Sequence, residues 1–295
     1  MTKLINIFSF LFAAFLLFSC EPSRAENGDF LFGVNPGETG GGGEGGGTGG
    51  NTKRVKKQTI VDDAGAVSFF EYNYTGNKLT SVHSEDEGEI SDYTLVYTGE
   101  TITKLIVVQK DQGETTTSTL DLVYQNGKLA SSSGNMETQG AEINKNVSSY
   151  SYDTSGKLKK ISTSIQSDAM NPGTYVELFS LVSDFIFTGN NISTWKFTLT
   201  PAPTPPITFP PIIVTSNVSS YDTNKNPLAT LPEAFTIAGA HFMTSTNSAF
   251  GLSANNYKSV NVGGVSGVYS YTYDTDGYPT KATSDGATIT YEYIN

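Results

Sequence analysis

Two histidines, His83 and His241, are the only imidazoles in the 295 residues, so chemistry that needs a titrating ring near neutrality has two candidates. A serine triad wants Ser, His and a carboxylate, with the nucleophile on a GxSxG elbow in the hydrolase form. His83 lies in the acidic run Ser84-Glu85-Asp86-Glu87, His241 lies between Ala240 and Phe242, and no such elbow occurs. A histidine zinc site would need both distant rings plus a carboxylate, and no HExxH spacing is present. Glycoside hydrolysis needs only two acids about 5 to 10 Å apart. Most acids here fall in turns, and Asp153 and Asp274 directly follow aromatic residues, where an Asp accepts backbone N–H bonds and holds the turn. Asp274-Thr275-Asp276-Gly277 and Glu85-Asp86-Glu87-Gly88-Glu89 offer hard oxygen ligands, yet neither forms a twelve-residue calcium loop. No metal, cofactor or catalytic residue is therefore expected. A carboxylate-dependent glycoside hydrolase stays as the enzymatic alternative.

The wider composition agrees. The chain carries 29 acids against 18 bases, net −11, which argues against nucleic acid, because phosphate binding normally starts from a basic face. One cysteine rules out a disulfide framework and a cysteine-rich zinc site. Only 16% of residues are charged, while Gly, Ser, Thr and Asn are abundant, a balance that favours strands and turns.

Met1 to Cys20 reads as Lys3, an apolar run from Leu4 to Phe18, then Ser19 and Cys20, in the form of a signal peptide. As a helix, the apolar run spans about 22 Å, short of a hydrocarbon core of about 30 Å. Leu17-Phe18-Ser19-Cys20 resembles the bacterial lipobox. That resemblance implies a lipoprotein signal peptide over 1–19, recognition of Leu17, Phe18 and Ser19 by the signal peptidase, and acylation of the Cys20 thiol. An exported chain with a single thiol has no internal partner for it, so an anchor is the expected use of Cys20. Residues 20–51 follow as a tether with ten glycines between Gly37 and Gly50. As a flexible coil its reach is about 30 Å. The N-terminus is similar to that of Bacteroidetes-type lipoproteins, in which an acidic stretch after the cysteine directs surface export; here Glu21, Glu26 and Asp29 are scattered. The expected address is the outer membrane, with surface exposure compatible with the sequence.

Residues 52–295 suffice for one large β domain. Aromatics recur two apart, as in Phe70-Tyr72-Tyr74, Tyr150-Tyr152 and Tyr269-Tyr271-Tyr273, which is strand periodicity on one face. Turn signals follow, such as Gly76-Asn77 before Leu79 and Asn126-Gly127 before Leu129. The last aromatic before each turn is Tyr74, Tyr97, Tyr124, Tyr152, Phe187, Tyr221, Tyr273 or Tyr293, at intervals of 23, 27, 28, 35, 34, 52 and 20 residues. That period is too irregular for propeller blades. It fits an all-β antiparallel meander of repeated hairpins forming a large curled sheet, rolled or barrel-like.

Tyr150-Ser151-Tyr152-Asp153-Thr154-Ser155-Gly156-Lys157-Leu158 and Tyr271-Thr272-Tyr273-Asp274-Thr275-Asp276-Gly277 resemble the YD repeat of RHS-type bacterial surface proteins. Tyr221 to Leu228 is similar to units of uncharacterised Bacteroidetes lipoproteins built from the same degenerate repeat. The resemblance implies wound antiparallel sheet and transfers no catalytic motif.

Three features interrupt the pattern. Pro201 to Pro211 holds six of twelve prolines and predicts a stiff excursion between hairpins. Trp195 lies just before it: exposed, it would stack on a sugar; buried, it is ordinary core, and the latter is favoured. Lys53, Arg54, Lys56 and Lys57 would either touch anionic head groups or protect a first edge strand, the second being favoured. The expected function is a lipid-anchored, non-catalytic binding or structural module. Its expected partners are the membrane through Cys20 and either a glycan, as in polysaccharide uptake, or another envelope protein.

Overall fold

The computed structural model describes residues 53–169, 172–203, 209–239, 251–284 and 286–295. Sixteen strands run β1 (Arg54–Asp62), β2 (Val67–Thr75), β3 (Lys78–Asp86), β4 (Glu89–Thr98), β5 (Thr101–Asp111), β6 (Glu114–Gln125), β7 (Lys128–Thr138) and β8 (Ala141–Tyr152), then β9 (Leu158–Ser167), β10 (Val176–Thr188), β11 (Asn191–Pro201), β12 (Ile212–Lys225), β13 (Asn255–Val262), β14 (Val265–Tyr273), β15 (Pro279–Ser284) and β16 (Ala287–Ile294). Each pairs antiparallel with its neighbours in sequence, and β16 pairs with β1, so the meander closes into a barrel. One rim holds Lys53 and Asn295 and is called the near rim below; the other is the far rim. Closure removes the free edge that the basic cluster was expected to protect: β1 is paired on both sides.

Alternation assigns the two faces. On β6, Thr116, Ser118, Leu120 and Leu122 point inward and are buried, while Thr115, Thr117, Asp121 and Val123 point out. Asn126-Gly127 closes the β6–β7 hairpin with both residues at positive φ, 52° and 76°, the conformation a two-residue hairpin turn requires.

Six of the eight marker aromatics stand directly opposite a β-bulge of the following strand, where one extra residue, Thr80, Thr103, Ala130, Lys159, Ser193 or Thr280, is inserted. Register shifts fall between Asn73 and Tyr74, Val96 and Tyr97, Val123 and Tyr124, Ser151 and Tyr152, Ile186 and Phe187, and Thr272 and Tyr273. A bulge bends its strand and raises the local twist, which is how a sheet is curved toward closure. The tyrosine facing each bulge turns its hydroxyl back to the start of the preceding strand: Tyr74 donates to Val55 O at 3.0 Å, Tyr97 to Leu79 O at 2.9 Å, Tyr124 to Ile102 O at 2.8 Å and Tyr152 to Leu129 O at 2.9 Å. Tyr221 donates to Ile192 O, and Tyr293 to Pro279 O. Phe187 holds the same place without a hydroxyl.

Irregular intervals between markers are inserted loops. The 35- and 34-residue steps carry the longer far-rim connections between β9 and β10 and between β11 and β12, the latter being the Pro-rich segment. The 52-residue step carries the chain between β12 and β13, including a 3-10 turn (Pro227–Thr230) and helix α1 (Glu233–Gly239). Phe235, Ile237 and Ala238 of α1 are buried in the same cluster as Leu79, Leu105 and Leu129 of the wall. The 3-10 turn and α1 form a plug in the near half of the lumen.

Gly134 faces inward on β7, where a Cβ would stand 1.6 Å from Thr119 O. No rotamer relieves a clash with backbone, so β6 and β7 must separate. Gly134→Ala is expected to lower stability by about 3 kcal/mol or more, read as a drop in the urea midpoint; an unchanged midpoint would contradict this packing.

Candidate functional site: the barrel's two mouths and outer wall

At the near rim, cations complete the ring of aromatics. Arg54 lies 4.7 Å from the Tyr74 ring centroid and donates to Gly76 O at 2.9 Å; Lys78 lies 5.3 Å from the Tyr97 ring and donates to Gly99 O at 2.6 Å. Lys157 repeats the arrangement over Phe187, donating to Gly189 O, and Lys128 stacks on Tyr152 while bridging to Glu233 of the plug at 3.4 Å. Each cation thus joins one hairpin to the next. The plug is further tied by Val55 N donating to Thr230 Oγ1 at 3.2 Å and by Phe235 packing edge-on against Tyr93.

A polar clasp sets where the plug enters. Asn226 caps the 3-10 turn by accepting from Leu228 N at 3.0 Å, and its amide donates to Ser253 O at 2.8 Å. Asn191 and Asn255 exchange bonds at 3.0 Å, and Asn255 also donates to Asn224 O at 2.9 Å. Asp222, 9% exposed, accepts from Asn224 N at 2.8 Å, from Asn256 and from the Tyr273 hydroxyl. A buried carboxylate is tolerable only when hydrogen-bonded in this way. Its partners leave it a structural role.

The turn acids behave likewise. Asp153 Oδ1 accepts from Ser155 N, Ser155 Oγ and Lys157 N at 2.8, 2.7 and 3.0 Å, and these bonds hold its carboxyl below the usual carboxylate range. Asp274 Oδ1 accepts from Asp276 N and Tyr278 N, both at 2.9 Å. Lys53 Nζ lies 2.7 Å from Asp274 and 2.6 Å from Asp276, pairing with both acids of the turn. Desolvation pushes Asp274 up, but Lys53 and the two backbone donors outweigh it and the carboxyl titrates low. No group of three or more potential metal ligands gathers among the described residues.

Outside, charged and hydroxylated residues share the wall with exposed apolar ones, Val67, Val96, Val123, Val147, Ile186 and Val268. Lys57, Glu71, His83 and Asp92 are successive cross-strand partners at the middle of β1 to β4. Lys57 stands 3.9 Å from Glu71, His83 Nδ1 is 2.7 Å from Asp92 Oδ1, and Lys104 pairs with Asp121 at 2.9 Å on the next strands. The His83 hydrogen bond lowers the Asp92 carboxyl. Farther round, Asp184 is the register partner of both Lys160 and Lys196. Each such pair contributes little to stability. Their position decides more: a lipid-facing barrel shows an apolar band about 25 Å tall, and a Lys at the bilayer midplane costs about 2–4 kcal/mol.

The far rim differs from the near one. Asp62, Asp86, Glu89, Asp111, Glu114 and Asp168 lie on or beside its turns, with Lys110 and Lys145 close by. Val176, Phe209, Ile212 and Ile213 are exposed at the ends of β10 and β12 and in the connection before β12.

Trp195 points inward on β11, its ring parallel to Phe185 with centroids 6.4 Å apart and tilted against Phe197. It belongs to the interior, as favoured, and offers no face to a sugar on the outer wall. Leu17, Phe18, Ser19, Cys20 and His241 lie outside the described residues. The inward-facing acids Asp86 and Glu89 were not singled out as a pair by sequence; their parity relative to the bulge before Val82 was the missing signal.

No family model and no curated protein matches the chain. Among solved structures it is similar to a porin-like protein from Bacteroides uniformis ATCC 8492, at 15% identity and TM-score 0.47 over 81% of this chain and 98% of that one. It is also similar to a porin-like protein from Bacteroides vulgatus ATCC 8482, at 12% identity and TM-score 0.47 over 82% and 99%. The barrel assignment stands on the ladder described above.

A carboxyl held low in the fold stabilises it above the unfolded value and loses that contribution as pH falls through the folded value. Asp92, Asp153 and Asp274 should therefore make the barrel lose stability below a pH of about 4. Asp274→Asn is expected to flatten part of that acid limb in urea titrations at stepped pH, and an unaltered limb would show that the Lys53 contact is not formed.

Proposed function

We propose that the chain is a lipid-anchored protein of the cell envelope whose barrel works in water as a non-catalytic binding or structural module, and that it is not a pore. One observation carries this reading: the barrel's polarity is opposite to that of a membrane channel, with charged ladders outside and a packed apolar layer inside. Sixteen-stranded pores keep an aqueous lumen; here the near half is filled by the aromatic ring and the plug. The anchor is the Cys20 lipid, and the degenerate YD-type hairpins are the units from which the ring is built. Lys53 begins the barrel at the near rim, so the tether leaves from that side and the far rim is the one free to meet a partner. The outer membrane is the proposed site, with surface exposure as its finer form.

A glycan-binding accessory role is the second reading, resting on export and the tether. It is weakened by Trp195 facing inward. Asp222, Asp153 and Asp274 are committed to structural bonds, which removes the carboxylates nearest the repeat motif from a glycosidase role.

The expected outcomes are distinct. Cys20→Ala should move the protein out of the membrane fraction, the full chain should give no conductance steps in a planar bilayer, and an immobilised-polysaccharide pull-down reads the glycan option. Steady channel openings would overturn the reading.

A further inference from the structure

The lumen has two halves of different accessibility. In the near half the inward side chains are sealed, with Leu79 and Ile192 at 0% exposure. In the far half, Phe179, Leu181, Val214, Val262 and Val265 face inward yet are only half-buried, and Ile212 is 39% exposed. Inward side chains near a barrel's rim meet water through its mouth, so β10 to β14 form the apolar wall of a cup that opens at the far rim.

The wall across from it is polar. In a ring of sixteen strands, β3 and β4 stand eight places from β11 and β12. Asp86 and Glu89 are cross-strand partners there and face inward. Their hydrogen-bond partners are neutral: Ser68 for Asp86, and Gln109 Nε2 at 3.2 Å and Ser91 Oγ at 3.4 Å for Glu89. Burial raises both carboxyls above their ordinary range, the mark of acids whose charge is poorly compensated. Farther along the same wall, Ser118 Oγ and Asn146 Oδ1 point inward from residues 1% and 6% exposed and have no hydrogen-bond partner among the described residues. Such atoms call for an ordered water or a polar group of a bound molecule.

We propose that the far cup binds a single-chain amphiphile with a cationic head, its alkyl chain along the β10–β14 wall and its ammonium group beside Asp86 and Glu89. This inference deepens the reading of the barrel as a binding module and rests on it. The acidic far rim disfavours an anionic head such as a fatty-acid carboxylate by like-charge repulsion, and the apolar wall gives the chain its contact area.

Trp195 is the single tryptophan of the chain and sits on the lumen side of β11, two residues below Phe197, so its emission reports on the cup's floor. The full-length chain carrying Cys20→Ala is titrated with decyltrimethylammonium, decanoate and decanol below their micelle-forming concentrations. A saturable change in Trp195 emission is expected with decyltrimethylammonium, with decanoate weaker by about tenfold or more. Replacing Asp86→Asn and Glu89→Gln together should close that gap while leaving decanol unchanged. Decanoate binding as tightly as the ammonium compound in the unsubstituted chain, or no saturable response to any of the three, would overturn the proposal. The polysaccharide pull-down reads the whole surface, so a chain that fails the titration but is retained there has lost only the amphiphile and kept the module.

Discussion

The barrel depends on placing one aromatic residue near the end of every second strand, in most units opposite a bulge of the next strand. The bulge supplies the bend that lets a flat meander curl, and the ring opposite it supplies apolar area of about 150–250 Å² where the curl must be held. In most units the tyrosine hydroxyl then donates to a carbonyl at the buried start of the preceding strand. Tyr74, Tyr97, Tyr124 and Tyr152 repeat this within a few tenths of an ångström. Loss of a single hydroxyl is tolerable at about 1 kcal/mol, which is why Phe187 can stand in the series. Loss of the ring itself would remove both the curvature and its support.

From that ring the rest follows outward. Sixteen strands enclose more volume than wall side chains fill, so the near half needs the plug, and the plug needs the asparagine clasp around Asn226 and Asn255 to enter at a fixed angle. The lumen therefore takes its apolar packing from the aromatic faces, leaving the outward positions of the same strands free for Thr, Ser and alternating charges. The charged ladders on that wall are what the proposed water-facing role rests on.

Much of this was legible in the residues. The two-residue aromatic spacing, the turn dipeptides and the Asp after the marker tyrosine gave strands, hairpins and structural carboxylates, because these are local effects of parity and backbone hydrogen bonding. Closure was not legible, since pairing β1 with β16 joins residues more than 200 apart in sequence and no local pattern encodes it. The edge-protection argument for Lys53 to Lys57 failed for that reason: the strand has no edge, and Lys53 instead spans Asp274 and Asp276. The plug hid inside the longest interval between markers, where Pro227 and a short helix break the strand rhythm. Asp86 and Glu89 were read as one acidic turn with Glu85 and Glu87, whereas alternation and the hairpin turn them toward the lumen.

Outward residues meet water, while the inward residues buried on β6 meet protein. Single cysteines at Thr117, Thr119 and Asp121 and at Ser118, Leu120 and Leu122, each in the Cys20→Ser chain, can be exposed to a membrane-impermeant maleimide with vesicles present. The account predicts rapid labelling at the first three positions and protection at the second three until the barrel is unfolded. Protection of the outward set by lipid, or free labelling of the inward set through an open channel, would contradict it.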